Sequence, residues 1–317
     1  AKDANILIEQ LLWQGEGVSP GSNSNLFLNL RNVGDKVLNS GIIELSSSSS
    51  LVDIDNSVVN INDLYPNENL NISNFNIEFS NDIINGSSVD FLLSISNNLF
   101  YQEINFSVIV GYATVHDPLG TDSYGYYIYD SEDYGYGLMP SYDWIEIDPS
   151  EGGEGFNLQI SDGGNGNNIS NSTKYIDLPF VFTFYGVDYN EVSVSANGWI
   201  AFGHTNMESF RNYTVPGAGG PSPMVAAFWD DLTTNQGGGV YALIDSDQVI
   251  IEWSGMKTYD QNSEETFQII LYNTVTPTGD DEIKIQYKEF NNTSSFNYYH
   301  PVYSTVGIEN QWGDIGL

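Results

Sequence analysis

Carboxylates dominate the chemistry this sequence offers. Asp and Glu number 42 against 8 Lys and Arg. They recur in short clusters within stretches rich in Asp, Asn and Gly: Asp117 with Asp122, Asp130 with Glu132 and Asp133, Asp230 with Asp231, and Asp245 with Asp247. Ca2+ takes about six to eight oxygens from carboxylates, Asn side chains and backbone carbonyls, and loops of this composition supply them. Calcium is therefore the cofactor these aspartates predict. Asp162-Gly-Gly-Asn165-Gly-Asn167-Asn168 is also calcium-like in composition, although it lacks the closing Glu of an EF-hand loop. Paired carboxylates can also hydrolyse glycosides. Asp230 and Asp231 are the pair most firmly placed, because they end a strongly apolar run. Adjacent strand residues point to opposite faces, however, which suits a turn cap or a cation better than an acid/base couple.

Other catalytic constellations are thin. The three histidines, His116, His204 and His300, each sit in a turn-like context near Asp, Asn or Pro, and no HExxH pattern accompanies them. The glycine-rich stretch 217–221 has Arg211 as its only nearby cation and lacks the lysine of a phosphate-binding loop. The expectation is a chain without catalytic residues of its own.

Aromatics form the strongest local anomaly. Tyr124, Tyr126, Tyr127 and Tyr129 lead on to Tyr134, Tyr136, Tyr142 and Trp144. Exposed rings flanked by Asp and Asn stack on sugars or anchor protein partners, and the alternative is that they fill a sheet face. Tyr126, Tyr129, Trp144 and Trp199 are the candidate ligand platforms.

The elements that must position these residues are strands. Runs of β-branched and aromatic residues bounded by Gly, Asn, Asp or Pro occur at 26–30, 42–45, 75–79, 89–95 and 104–110. They continue at 180–185, 192–202, 224–229, 240–244, 249–253, 267–272, 283–287 and 302–308. Phe75, Ile77 and Phe79 alternate with Asn76 and Glu78, the mark of a sheet with one wet face. Only residues 6–13 carry a spacing open to a short helix, and strand readings are open there too. Composition shifts near Gly111–Tyr112, from an Asn-rich half to one rich in Tyr, Gly and Asp. The sequence thus predicts an all-β protein of two domains, 1–111 and 112–317, each a sandwich.

A net charge of −34 and a pI near 4.1 exclude nucleic acid and anionic membrane surfaces as partners. The absence of cysteine removes disulfides and thiol chemistry. No apolar run is long enough for a transmembrane helix, so membrane insertion is not expected. A start at Ala1 without a leader suggests a processed or excised product, and the ending Gly313-Asp314-Ile315-Gly316-Leu317 a fragment of something longer.

Two resemblances refine this. In the first half, Pro20-Gly21 precedes Leu26-Phe27-Leu28-Asn29-Leu30-Arg31-Asn32-Val33-Gly34 and the half closes on Phe106-Ser107-Val108-Ile109-Val110-Gly111. This resembles immunoglobulin-like adhesion and spacer modules of bacterial secreted proteins. The second half carries Ser195-Ala196-Asn197-Gly198-Trp199-Ile200-Ala201-Phe202-Gly203, Met224-Val225-Ala226-Ala227-Phe228-Trp229-Asp230-Asp231-Leu232 and Ile251-Glu252-Trp253. It resembles nidogen-like extracellular β-domains. It is similar also to the non-catalytic regions of large secreted Bacteroidetes-type peptidases of gingipain-like or subtilisin-like type. The resemblance implies a secreted or cell-surface module for adhesion, spacing or assembly, with protein or glycan partners that include copies of the same chain. It implies alternatively the accessory C-terminal part of a peptidase or a carbohydrate-binding module.

Overall fold

The computed structural model describes residues 3–166, 171–259, 263–275, 279–292 and 304–317. Its chain divides into two compact units, Ala1–Pro118 with Glu132–Met139, and Leu119–Ser131 with Pro140–Leu317. Residues 112–118 thus lie in the first unit. Among the described residues every regular element is a strand, as β-branched and aromatic runs at this spacing dictate.

The first unit holds β1 (Ile6–Gly15), β2 (Asn23–Asn32), β3 (Gly41–Ser47), β4 (Val52–Asp55), β5 (Val58–Ile61), β6 (Asn69–Phe79), β7 (Ser87–Asn97) and β8 (Phe100–Val110). They form two antiparallel four-stranded sheets, ordered β1-β2-β6-β4 and β5-β3-β7-β8. Residues 6–13, open to either reading, are strand: Ile6 pairs with Asn32 and Trp13 with Leu26. Period-two alternation puts Leu26, Leu28 and Leu30 of β2 and Phe75, Ile77 and Phe79 of β6 into one core with Phe91, Leu93 and Ile95 of β7. Each such side chain contributes about 1.5–3 kcal/mol by leaving water. The intervening asparagines meet outside, where Asn29 donates to Asn71 and Asn69 to Asn29.

The second unit holds β9 (Leu119–Gly120), β10 (Tyr127–Ile128), β11 (Phe156–Asn157), β12 (Thr173–Phe184), β13 (Val187–Ser195), β14 (Trp199–Phe202), β15 (Met224–Trp229), β16 (Leu232–Thr233), β17 (Gly239–Ile244), β18 (Gln248–Thr258), β19 (Glu264–Val275), β20 (Asp281–Glu289) and β21 (Thr305–Glu309). One sheet runs β12-β13-β14-β15-β21, the other β11-β17-β18-β19-β20 with β16 beside β18. Their facing side chains, among them Phe182, Phe184, Ile200, Val225, Phe228, Trp253 and Phe267, make the main core. The single apolar run at 192–202 is two strands, split by the turn at Asn197-Gly198.

β14 and β15 are buried throughout, as continuous apolar runs predict. Their outer face carries Trp199, Ala201, Met224, Ala226 and Trp229, with Val215 of the long 204–223 loop packed on it. No helix among the described residues is long and apolar enough to cross a membrane.

Candidate functional site

Four of the eight aspartates expected to bind metal accept hydrogen bonds from the chain's own donors. In the first unit Asp117 Oδ2 accepts the Thr114 amide and hydroxyl, both at 2.7 Å. Its Oδ1 accepts the Tyr136 hydroxyl at 2.6 Å and Asn85 Nδ2 at 2.9 Å. Burial alone would raise this carboxyl. The bonds from Tyr136, Thr114 and Asn85 outweigh burial and hold it well below the usual carboxylate range. Asp122 belongs to the second unit, where its Oδ1 caps the amides of Tyr124, Gly125 and Tyr126 and its Oδ2 accepts the Tyr185 hydroxyl. Asp117 and Asp122 are therefore in different units.

Asp130 lies in the second unit and is exposed, whereas Glu132 and the buried Asp133 lie in the first. Glu132 stands 3.6 Å from His116 Nδ1. Asp230 accepts the Asp231 amide, and both oxygens of Asp231 accept the Asn165 amide at 3.0 and 2.8 Å. Asp230 thus bonds locally, whereas Asp231 ties the strand end after β15 to the 162–166 stretch. Asp245 and Asp247 are exposed between β17 and β18. Among the described residues no group of three or more His, Asp or Glu is arranged to hold a metal ion.

Sequence reasoning underrated Asp162 and Asn197. Asp162 is buried, and its Oδ1 accepts the Gly164 amide at 2.7 Å. Burial pushes its carboxyl up to about 6; the Gly164 amide opposes that, and the charges of Asp231 and Glu208 reinforce it. Asn197 accepts the Leu232 amide at 3.0 Å and donates to the Glu208 carbonyl at 2.9 Å. One buried amide side chain thus ties the β14 turn to the strand end after β15 and to the 204–223 loop. Residues 167–168 of the calcium-like stretch lie outside the described residues, as does His300.

The aromatic candidates are mostly packed. Tyr126 donates to Asp280 Oδ2 at 2.8 Å, and its ring lies 4.6 Å from that of Tyr185. Burial, then the Asp280 bond, raises its hydroxyl far above the ordinary tyrosine value. Tyr124 and the Gly186 amide fill the other oxygen of Asp280, both at 3.1 Å. Tyr129 is partly buried beside Tyr127. Trp144 is partly buried as well, donating to Glu146 at 3.2 Å beneath the Lys288 ammonium. Trp199 is the correction among the four. With no exposed surface it is no platform; it donates to the Ser209 carbonyl at 3.0 Å, the same oxygen that takes the Trp229 indole at 2.8 Å.

Exposed aromatics outside the four candidate platforms include Tyr134 and Tyr142 of the tyrosine stretch and Trp312, which the sequence did not single out. Trp312 is 76% exposed, yet its turn is fixed. Asn310 Oδ1 accepts the amides of Trp312 and Asp314, and Asn310 Nδ2 donates to Asp314. The preceding Glu309 is buried and accepts the Gly217 amide at 2.9 Å and the Ser222 hydroxyl at 2.6 Å. The C-terminal turn is so locked to the 204–223 loop, which exposes Tyr213 and Met207. An exposed indole on a rigid turn is suited to contact with another surface, and the Asn-x-Trp-Gly-Asp spacing was the signal available. Tyr175 is likewise exposed, its ring 4.7 Å from that of His204. Gly17-Val18-Ser19-Pro20-Gly21 matches the Gly-x-Ser-x-Gly spacing of hydrolases, but it joins β1 to β2, whereas a nucleophile elbow joins a strand to a helix.

Strands alone, paired into antiparallel sheets, thus carry a set of hydrogen-bonded aspartates and an exposed aromatic loop end. Residues 157–317 match the family described as NIDO related, the nidogen-related domain. The chain belongs to that family. No curated protein matches it. Among solved structures it is similar to the sporulation control protein Spo0M from Bacillus subtilis. The identity is 11%, over 85% of this chain and 90% of that one, with a TM-score of 0.18, too low to carry an argument.

Proposed function

We propose that this chain is a non-catalytic extracellular module serving adhesion, spacing or assembly at the bacterial surface. Membership of the nidogen-related family carries the reading. In it the first unit is an immunoglobulin-like spacer, a role its two four-stranded antiparallel sheets suit. The second unit binds through its loop end, with Trp312 and Tyr213 as anchors. The internal use of Asp117, Asp122, Asp231 and Asp280 by amide and hydroxyl donors supports a structural and not a catalytic role for these acids. The partner is a protein or glycan at the cell surface.

Binding of the purified chain to whole bacteria, to copies of itself and to a glycan array tests this directly. The expected result is saturable binding that Trp312→Ala with Tyr213→Ala weakens roughly tenfold or more, with thermal unfolding unchanged. Binding that is absent, or insensitive to both substitutions, would overturn the assignment of that surface.

A further inference from the structure

Residues 143–148 form no strand, yet they are bound as regularly as one. They cross the outer face of the second sheet over three residues that sit opposite one another in register: Glu252 on β18, Gln268 on β19 and Gln286 on β20. Gln286 accepts the Asp143 amide and donates to the Asp143 carbonyl, both at 2.8 Å. Gln268 donates to the Ile145 carbonyl at 2.5 Å. Glu252 Oε2 accepts the Ile147 amide at 3.2 Å and Gln268 Nε2 at 2.8 Å. Every second residue of the segment is thus held by one rung of a buried polar ladder, and no backbone bond to a neighbouring strand is needed. Beneath it Ile147 packs on Ile250 and Ile270, with Ile145, Leu243, Tyr241 and Tyr272 around them.

One rung is incomplete. Glu252 is fully buried, and its Oε1 meets no N–H or hydroxyl donor; the further hydrogen-bond neighbour of its carboxyl is the carboxyl of Glu146. The groups around it are mostly acidic. Glu146 and Asp148 come from the segment itself, Tyr241 from β17 and Lys288 from β20. Lys288, on which Glu151 also acts, is committed to Glu146 at 2.8 Å. Glu146 further accepts the Asp148 amide and the Trp144 indole. Burial works against its charge, but Lys288 and these donors bring its carboxyl down to about 2. Glu146 is therefore the ion of the pair. A second charge on Glu252 would be buried, short of donors and beside a like charge, whereas a proton lets the Glu252 carboxyl donate to the Glu146 carboxylate. Burial, with the Glu146 charge adding to it against the Gln268 and Ile147 bonds, pushes Glu252 up to about 7.

We propose that residues 143–148 are a proton-dependent strap, held on the sheet by the protonated carboxyl of Glu252 and released when that carboxyl ionises, uncovering the apolar face around Ile250 and Ile270. The sign follows from linkage. The ordered form binds the extra proton, so its stabilisation is fullest below the ordinary carboxyl value, about 4, and is lost as pH rises from there through about 7. The inference stands independently of the binding surface proposed above.

Hydrogen exchange of the amides in 143–148, corrected for intrinsic base catalysis, tests it on the whole chain. In the wild type, protection is expected to fall by up to about tenfold per pH unit between the ordinary carboxyl value, about 4, and about 7, and to level off above that, while amides of β18 and β19 stay protected. In Glu252→Gln the carboxamide keeps the acceptor for Ile147 and cannot ionise, so protection stays level across the same range. Infrared spectroscopy supplies a readout that needs no variant to fold: the carbonyl stretch of a buried protonated carboxylic acid that outlasts the ionisation of Asp162 near pH 6 and is lost as pH rises through about 7. Level protection in wild type, an unchanged pH slope in Glu252→Gln, or no protonated carboxyl band at acidic pH would each overturn the strap.

Discussion

Asn197 and Gly198 illustrate how much a single turn can hold. Asn197 joins three segments through its carboxamide. Gly198, at φ of +74°, brings its carbonyl within 3.0 Å of the amides of Ala227 and Phe228. A β-carbon at Gly198 would collide with the Phe228 carbonyl oxygen, and the left-handed backbone disfavours any L side chain there. Gly198→Ala is accordingly expected to cost about 3 kcal/mol, the strain adding to the clash. Thermal unfolding of the variant against wild type measures it. The Asn-Gly pair announced a turn in the sequence, but nothing local identified the Phe228 carbonyl, which lies thirty residues on.

At the level of elements, β14 and β15 show a limit of periodicity. Uninterrupted apolar runs say that a strand is covered on both faces, and both strands are. They do not say by what. One cover is the facing sheet and the other is the 204–223 loop, anchored where Trp199 and Trp229 share the Ser209 carbonyl. Trp199→Leu and Trp229→Leu are each expected to cost about 3 kcal/mol, within the range for shrinking a buried aromatic. Because both act on one loop, the double variant should cost less than the sum. A double-mutant cycle in denaturant decides this, and strict additivity would argue against a shared anchor.

Across the whole molecule, charge and burial act in the same direction. A net charge of −34 repels itself in the folded state. Asp162, pushed up to about 6, and Glu252, pushed up to about 7, both prefer their proton when folded. A raised carboxyl favours folding below its native pKa and loses that contribution as pH rises through it. The melting temperature is therefore expected to decline from about pH 4 to about pH 7 and to level off above it, and added salt should recover the part due to surface repulsion. Melting curves against pH at low and high salt separate the two. A flat or rising profile would contradict the assignment of both carboxyls.

Short-range chemistry is legible in residue types and their spacing alone. β-branched and aromatic runs made strands, period-two alternation placed Leu26, Phe75 and Phe91 inside, and the succession from Asn197 to Trp253 carried the nidogen-related likeness. Tertiary structure decided which polar atoms met. Asp117 and Asp122, five residues apart, serve different units; Tyr126 found Asp280; Glu252, Gln268 and Gln286 aligned beneath residues 143–148. Alternation follows from backbone geometry and needs no distant partner. Satisfying a buried carboxylate or carbonyl requires a donor from elsewhere in the chain, and that donor is specified only once the strands are in register.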